Sequence, residues 1–134
     1  MIEGLSHLTF VVQDIARTAR LFAQVLDARE VYDSGPQGFS LAPEKFLLIG
    51  DLWIALMQGE SPAERSYRHV AFKIDEADFD ACAARIAAAG VDFRPPRHRV
   101  DGEGRSLYFH DFDNHLFELH TGTLDQRLAR YASA

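Results

Sequence analysis

Three side chains far apart along the chain, His7, His69 and Glu118, are of the types that bind divalent metals, and the case for them begins with the glutamate. Residues 107–110 and 115–120 read as two short strands. They are joined by Asp111-Phe112-Asp113-Asn114, whose Asp and Asn side chains suit a tight turn and tolerate left-handed backbone angles. Side chains alternate along a strand, so Leu116, Glu118 and His120 share one face while His115, Phe117 and Leu119 share the other. An ionised carboxylate in the middle of an apolar strand needs an arginine, a shifted pKa or a metal ion. Two imidazoles and one carboxylate would leave coordination positions free, as Lewis-acid catalysis requires and a closed structural site does not. Nitrogen and oxygen donors without thiolate suit Mn²⁺, Fe²⁺, Zn²⁺ or Ni²⁺ alike. His120, roughly 7 Å along the same strand face, is the rival ligand to Glu118.

The elements that must position these groups follow one plan used twice. Residues 5–12 alternate as a strand, and Asp14 then caps a helix through about Leu26 with an apolar stripe of Ile15, Ala19, Phe22 and Leu26. Strands are expected at 29–32, 39–41, 45–49 and 52–57, separated by Gly- and Pro-bearing turns. After a polar break at 58–65 the pattern restarts, with a strand at 67–74, a helix at 75–89 ended by Gly90, a strand at 91–93 and the hairpin. Aligning the two halves sets His7 against His69 and Ala55 against Glu118. The expected architecture is α+β: two βαβββ modules, about 1–62 and 66–122 with a C-terminal tail at 123–134, in one domain. Two curled mixed sheets of this kind can enclose a concavity into which His7, His69 and Glu118 converge.

Composition narrows the function. With 134 residues, 47% hydrophobic and 25% charged, the chain can bury a core, yet it is small enough for a cleft to be shared with a second subunit. The balance of 14 Lys and Arg against 20 Asp and Glu gives a net charge of −6, which argues against nucleic acid as a partner. No apolar run of membrane-spanning length and no signal-peptide pattern is read at the N-terminus, so a cytoplasmic protein is expected. The single cysteine, Cys82, fits a reducing compartment and reads as a helix-packing residue.

Paired βαβββ modules, with a histidine near the start of each and a glutamate in the final strand, resemble the vicinal oxygen chelate (glyoxalase and bleomycin resistance) superfamily. The likeness extends to Gly4-Leu5-Ser6-His7, Glu64-Arg65-Ser66-Tyr67, Gly102-Glu103-Gly104-Arg105-Ser106-Leu107-Tyr108-Phe109 and Glu118-Leu119-His120-Thr121-Gly122-Thr123-Leu124. These segments closely resemble the fosfomycin resistance proteins, in particular their epoxide-hydrolysing, FosX-type branch. The resemblance implies a Mn²⁺-dependent enzyme that opens the epoxide of the phosphonate fosfomycin with water, its metal held by His7, His69 and Glu118. It also implies a homodimer in which His7 of one subunit completes the site of the other.

Further residues take roles from the same resemblance. Glu44, which by itself reads as a solvated acid after Pro43, becomes the general base that distinguishes a hydrolase from the thiol-adding transferases. Thr9, on the face of His7, together with Ser106, Tyr108 and Arg127, is expected to bind substrate. Guanidinium and hydroxyl donors suit a doubly charged phosphonate. Arg94, Arg97 and Arg99 remain unranked as further phosphonate ligands, and His98, His110 and His115 have no assigned role. The alternatives on this fold are a transferase using glutathione or bacillithiol, a metal-free drug-binding protein and an Fe²⁺ extradiol dioxygenase. Against the last, these arginines suit a phosphonate better than a catechol.

Overall fold

A computed structural model describes residues 1–36, 41–94, 96 and 100–133. The expected strand at 39–41 falls largely outside them, as do Arg97, His98 and Arg99. The described chain forms two compact units, Met1–Ala63 and Glu64–Ala134.

The first unit runs β1 (His7–Val12), α1 (Ile15–Leu26), β2 (Arg29–Asp33), β3 (Glu44–Ile49) and β4 (Leu52–Gln58). Its sheet order is β1-β4-β3-β2, with β1 and β4 parallel and the other pairs antiparallel. Asp14 caps α1 as expected, its carboxylate accepting from the Arg17 N–H. The buried face of the helix, Leu21, Phe22, Val25 and Leu26, meets a sheet face of Phe10, Val12, Leu47, Ile54 and Leu56 that is equally buried. Phe10 and Phe22 interlock edge to face with centroids 6.0 Å apart. Period-2 alternation therefore commits one sheet face to the core and frees the other for chemistry.

The second unit repeats the plan: β5 (His69–Lys73), α2 (Phe79–Ala88), β6 (Phe93–Arg94), β7 (Ser106–His110) and β8 (Leu116–His120), in the order β5-β8-β7-β6. A 3-10 turn at Glu76–Asp78 precedes α2, capped by the Asp75 side chain accepting from the Ala77 N–H. Leu107, Phe109, Phe117 and Leu119 are buried on one sheet face, and Phe79 and Ile86 are the buried residues of α2. At the hairpin, Asn114 takes the left-handed conformation (φ 66), as its short polar side chain permits. Residues 123–132, which sequence analysis leaves without an element, form α3 (Leu124–Ala132) behind a capping box of Thr123 and Gln126.

Strand register bears out the alignment of the halves. Across the parallel pairs, Thr9 faces Ala55 as Ala71 faces Glu118, and His7 faces Trp53 as His69 faces Leu116.

Candidate active site

Residues directly paired across a sheet point to the same face, so the register lists what each open face carries. In the first unit His7 pairs with Trp53 and Trp53 with Leu48, Thr9 with Ala55 and Ala55 with Phe46, and Val11 with Met57 and Met57 with Glu44. His7, Thr9 and Glu44 thus share one face, across an aromatic layer. The His7 ring stacks on Trp53 at 4.2 Å, Trp53 meets Phe46 at 5.1 Å, and Phe46 meets Tyr32 at 4.9 Å. Glu44 is not in a turn, as the Pro43 context suggests, but is the first residue of β3. Its N–H donates to Ser34 Oγ at 2.9 Å and its carbonyl accepts from the Ser34 N–H at 3.0 Å. The half-buried carboxyl group is therefore carried by a backbone fixed independently of the side chain.

In the second unit the open face carries His69, Glu118, His120, Ser106, Tyr108 and Arg94, because Tyr108 pairs with both Glu118 and Arg94 and Ser106 pairs with His120. His69 and Glu118 are brought together: Nε2 lies 3.0 Å from Oε1, with the carboxylate side chain 11% exposed. His69 Nδ1 is 2.7 Å from the Tyr67 carbonyl oxygen. A carbonyl only accepts, so Nδ1 carries a proton and a neutral ring turns its Nε2 lone pair toward the carboxylate. Two lone pairs at that distance repel unless a proton or a cation lies between them. This donor set fits a divalent ion. Among the described residues no three His, Cys, Asp or Glu side chains are gathered into a ready metal group. His69 and Glu118 form a pair, and His7 stands on the first unit.

The expected substrate residues fare differently. Tyr108 lies over His69, rings 5.7 Å apart, with its hydroxyl 3.5 Å from that of Tyr67. Burial, the Tyr67 hydroxyl and the Glu118 carboxylate together push the Tyr108 phenol well above its ordinary value, so it remains a hydrogen-bond donor at neutral pH. The Ser106 hydroxyl is engaged by Glu118 and His120. Arg127 donates to Tyr131 Oη and to the Glu103 carbonyl. Of the clustered arginines, Arg94 lies on the Tyr108 face, whereas Arg105 is held by Glu76 over the Phe79 ring, 3.8 Å from its centroid. Trp53 and Tyr67 belong to these faces too. Sequence reasoning assigns them nothing, since an aromatic in or beside a strand reads as packing.

His110, left without a role, is 1% exposed at the end of β7, and its Nδ1 makes no hydrogen bond. Burial, with Arg65 adding repulsion, holds its pKa below the usual imidazole range. The folded protein then refuses a proton that the unfolded chain accepts near pH 6.5. Stability on this account is fully present above that pH and falls as pH drops toward the lowered folded value. Urea midpoints measured from pH 8 to pH 5 should show the parent losing ground to His110→Phe as the solution acidifies.

The chain belongs to the Glyoxalase/Bleomycin resistance protein/Dioxygenase superfamily, whose family profile matches residues 4–119. Within it, the chain is 65% identical over 132 residues to the fosfomycin resistance protein FosX of Mesorhizobium japonicum, covering 98% of this chain and 95% of that one. The crystal structure of FosX from Mesorhizobium loti superposes with a TM-score of 0.88 at 62% identity, covering 97% of this chain and all of that one (100%). A variant of FosX from Listeria monocytogenes, solved with Mn(II) and 1S,2S-dihydroxypropylphosphonic acid, also gives a TM-score of 0.88, at 52% identity over 98% of this chain and 99% of the other.

Proposed function

We propose that this chain is a Mn²⁺-dependent hydrolase that inactivates fosfomycin by adding water across its epoxide. His7, His69 and Glu118 hold the metal, Glu44 is the general base, and Thr9, Tyr108 and Arg127 serve the phosphonate, while the Ser106 hydroxyl is engaged by Glu118 and His120. The observation that carries this reading is the His69–Glu118 pair, whose facing lone pairs need a proton or a cation between them and suit a divalent ion. Supporting it, the Listeria FosX variant binds Mn(II) and a vicinal diol phosphonate. Water leaves a diol on an opened epoxide, whereas a thiol would leave a thioether.

When bound, Mn²⁺ supplies a Lewis acid that stabilises negative charge on the oxygen released as the ring opens. The chain's own groups do the rest. Glu44 takes a proton from water while the water oxygen bonds to carbon, the ring C–O bond breaks, and the released oxygen is protonated from solvent. Tyr108, kept protonated, donates a hydrogen bond to the anionic end of the substrate, and Arg127 and Arg94 add positive charge. The test is turnover with Mn²⁺ in ¹⁸O-labelled water without any thiol. A singly labelled diol identified by mass spectrometry supports the reading, and turnover only on adding glutathione or bacillithiol overturns it.

The working form in this reading is a cytoplasmic homodimer in which His7 of one subunit serves His69 and Glu118 of the other. Among the described residues no helix is long and apolar enough to cross a membrane. Refolding a mixture of His7→Ala and Glu118→Ala chains should restore about a quarter of parental activity, because half the dimers are mixed and each holds one intact site. No recovery would mean that each site is built from a single chain.

A further inference from the structure

Ser106 and His120 face each other across β7 and β8. The Ser106 hydroxyl lies 2.6 Å from Glu118 Oε2 and 2.7 Å from His120 Nδ1, while His120 and Glu118 are themselves 3.4 Å apart. A serine hydroxyl has one proton to give, and an ionised carboxylate can only accept. The proton therefore points at Glu118, and the contact with His120 must be a bond that Nδ1–H donates into the serine oxygen. These hydrogens follow from the chemistry of the partners.

The other edge of the imidazole lies beside Gly122. A methyl group on Gly122 would stand 2.6 Å from His120 Nε2, so the ring fits only because that position has no side chain. In the loop that leads into β7, a methyl on Gly104 (φ +76) would reach 2.5 Å from the Gly122 nitrogen. The two glycines let the segment entering β7 and the segment leaving β8 approach closely beside the Ser106–His120 rung. One ring nitrogen is thus engaged by Ser106, and the other lies beside Gly122.

We propose that His120 is a positioning residue for Glu118. The relay His120 Nδ1–H to Ser106 Oγ–H to Glu118 Oε2 fixes one carboxylate oxygen and so aims the other, Oε1, at His69. It rests on the reading that Glu118 is a metal ligand. Outer partners of this kind orient a ligand and raise its donor strength, and their loss typically costs about 10- to 100-fold in metal affinity.

The experiment measures Mn²⁺ binding to metal-free protein by the EPR signal of free Mn²⁺, with no substrate present. His120→Leu should weaken binding by about 10- to 100-fold. His120→Asn, whose amide nitrogen stands near the place of Nδ1, should recover most of the loss. Ser106→Ala should weaken binding comparably, and adding His120→Leu to it should cost nothing more, since both interrupt one relay. If His120→Leu does not fold, His120→Ala takes its place. Parental affinity in the folded leucine or alanine variant, or fully additive losses with Ser106→Ala, would overturn the relay. Glu118→Gln separates the two levels: if it binds Mn²⁺ as the parent does, the ligand assignment itself fails, whereas its loss beside an unaffected His120→Leu condemns the relay alone.

Discussion

Replacing Glu44 with alanine lowers fosfomycin hydration by about 10²- to 10⁴-fold, the contribution of a positioned general base, while Mn²⁺ affinity stays near parental. The reason for expecting so clean a separation lies in the backbone. The contacts that hold position 44 at the start of β3 are its own N–H and carbonyl against Ser34, and neither depends on the side chain. Removing the half-buried carboxyl group leaves the strand, and the His7 face it belongs to, in place. Initial rates of diol formation at saturating Mn²⁺, beside a binding isotherm for the metal, decide the matter. Hydration at the parental rate would remove Glu44 from the mechanism.

The second large effect is expected from Glu118→Gln and, independently, from chelation of the parent. Lewis-acid stabilisation is worth several kcal/mol, so its loss should cost at least about 10³-fold in rate. A neutral amide can still accept from Ser106, but it no longer supplies the negative charge that His69 Nε2 and a cation would share. Stability gives a second readout. Mn²⁺ at a hundredfold excess over its Kd should stabilise the parent by about 2.7 kcal/mol, seen as a rise in Tm, and should leave the variant's Tm unmoved. An equal Mn²⁺-induced rise in both proteins would show that the ion binds elsewhere.

Much of this was legible before any coordinates because strand alternation and register are rigid rules. Once Glu118 is placed mid-strand, its face is fixed, and the pairing of Ala71 with Glu118 beside that of Thr9 with Ala55 follows from aligning two copies of one unit. Other features were illegible for physical reasons. Helix α3 has no buried residue, and its apolar side chains Leu124, Leu128 and Tyr131 are all exposed. Their spacing of i, i+4 and i+7 is a helical stripe, but it packs on no core in this structure; the other signal is local, the reciprocal Thr123–Gln126 cap. Strand β5 starts at His69 rather than at 67, and the Tyr67 carbonyl there accepts from His69 Nδ1. The Ser106–Glu118–His120 contacts depend on which rotamers meet across a rung, and no pattern along one strand encodes that.

The two halves match as backbones and differ as electrostatic environments. Ala55 occupies the lattice point of Glu118, 5% exposed, with Thr9 on one side and Phe46 on the other. A carboxylate grafted there would meet Glu44, which pairs with Met57 as Ser106 pairs with His120, so it would face an acidic side chain at the place where Glu118 has a hydroxyl donor. Shape could be copied across the halves while charge could not, so exchanging their sheet faces would preserve the architecture and forfeit the chemistry.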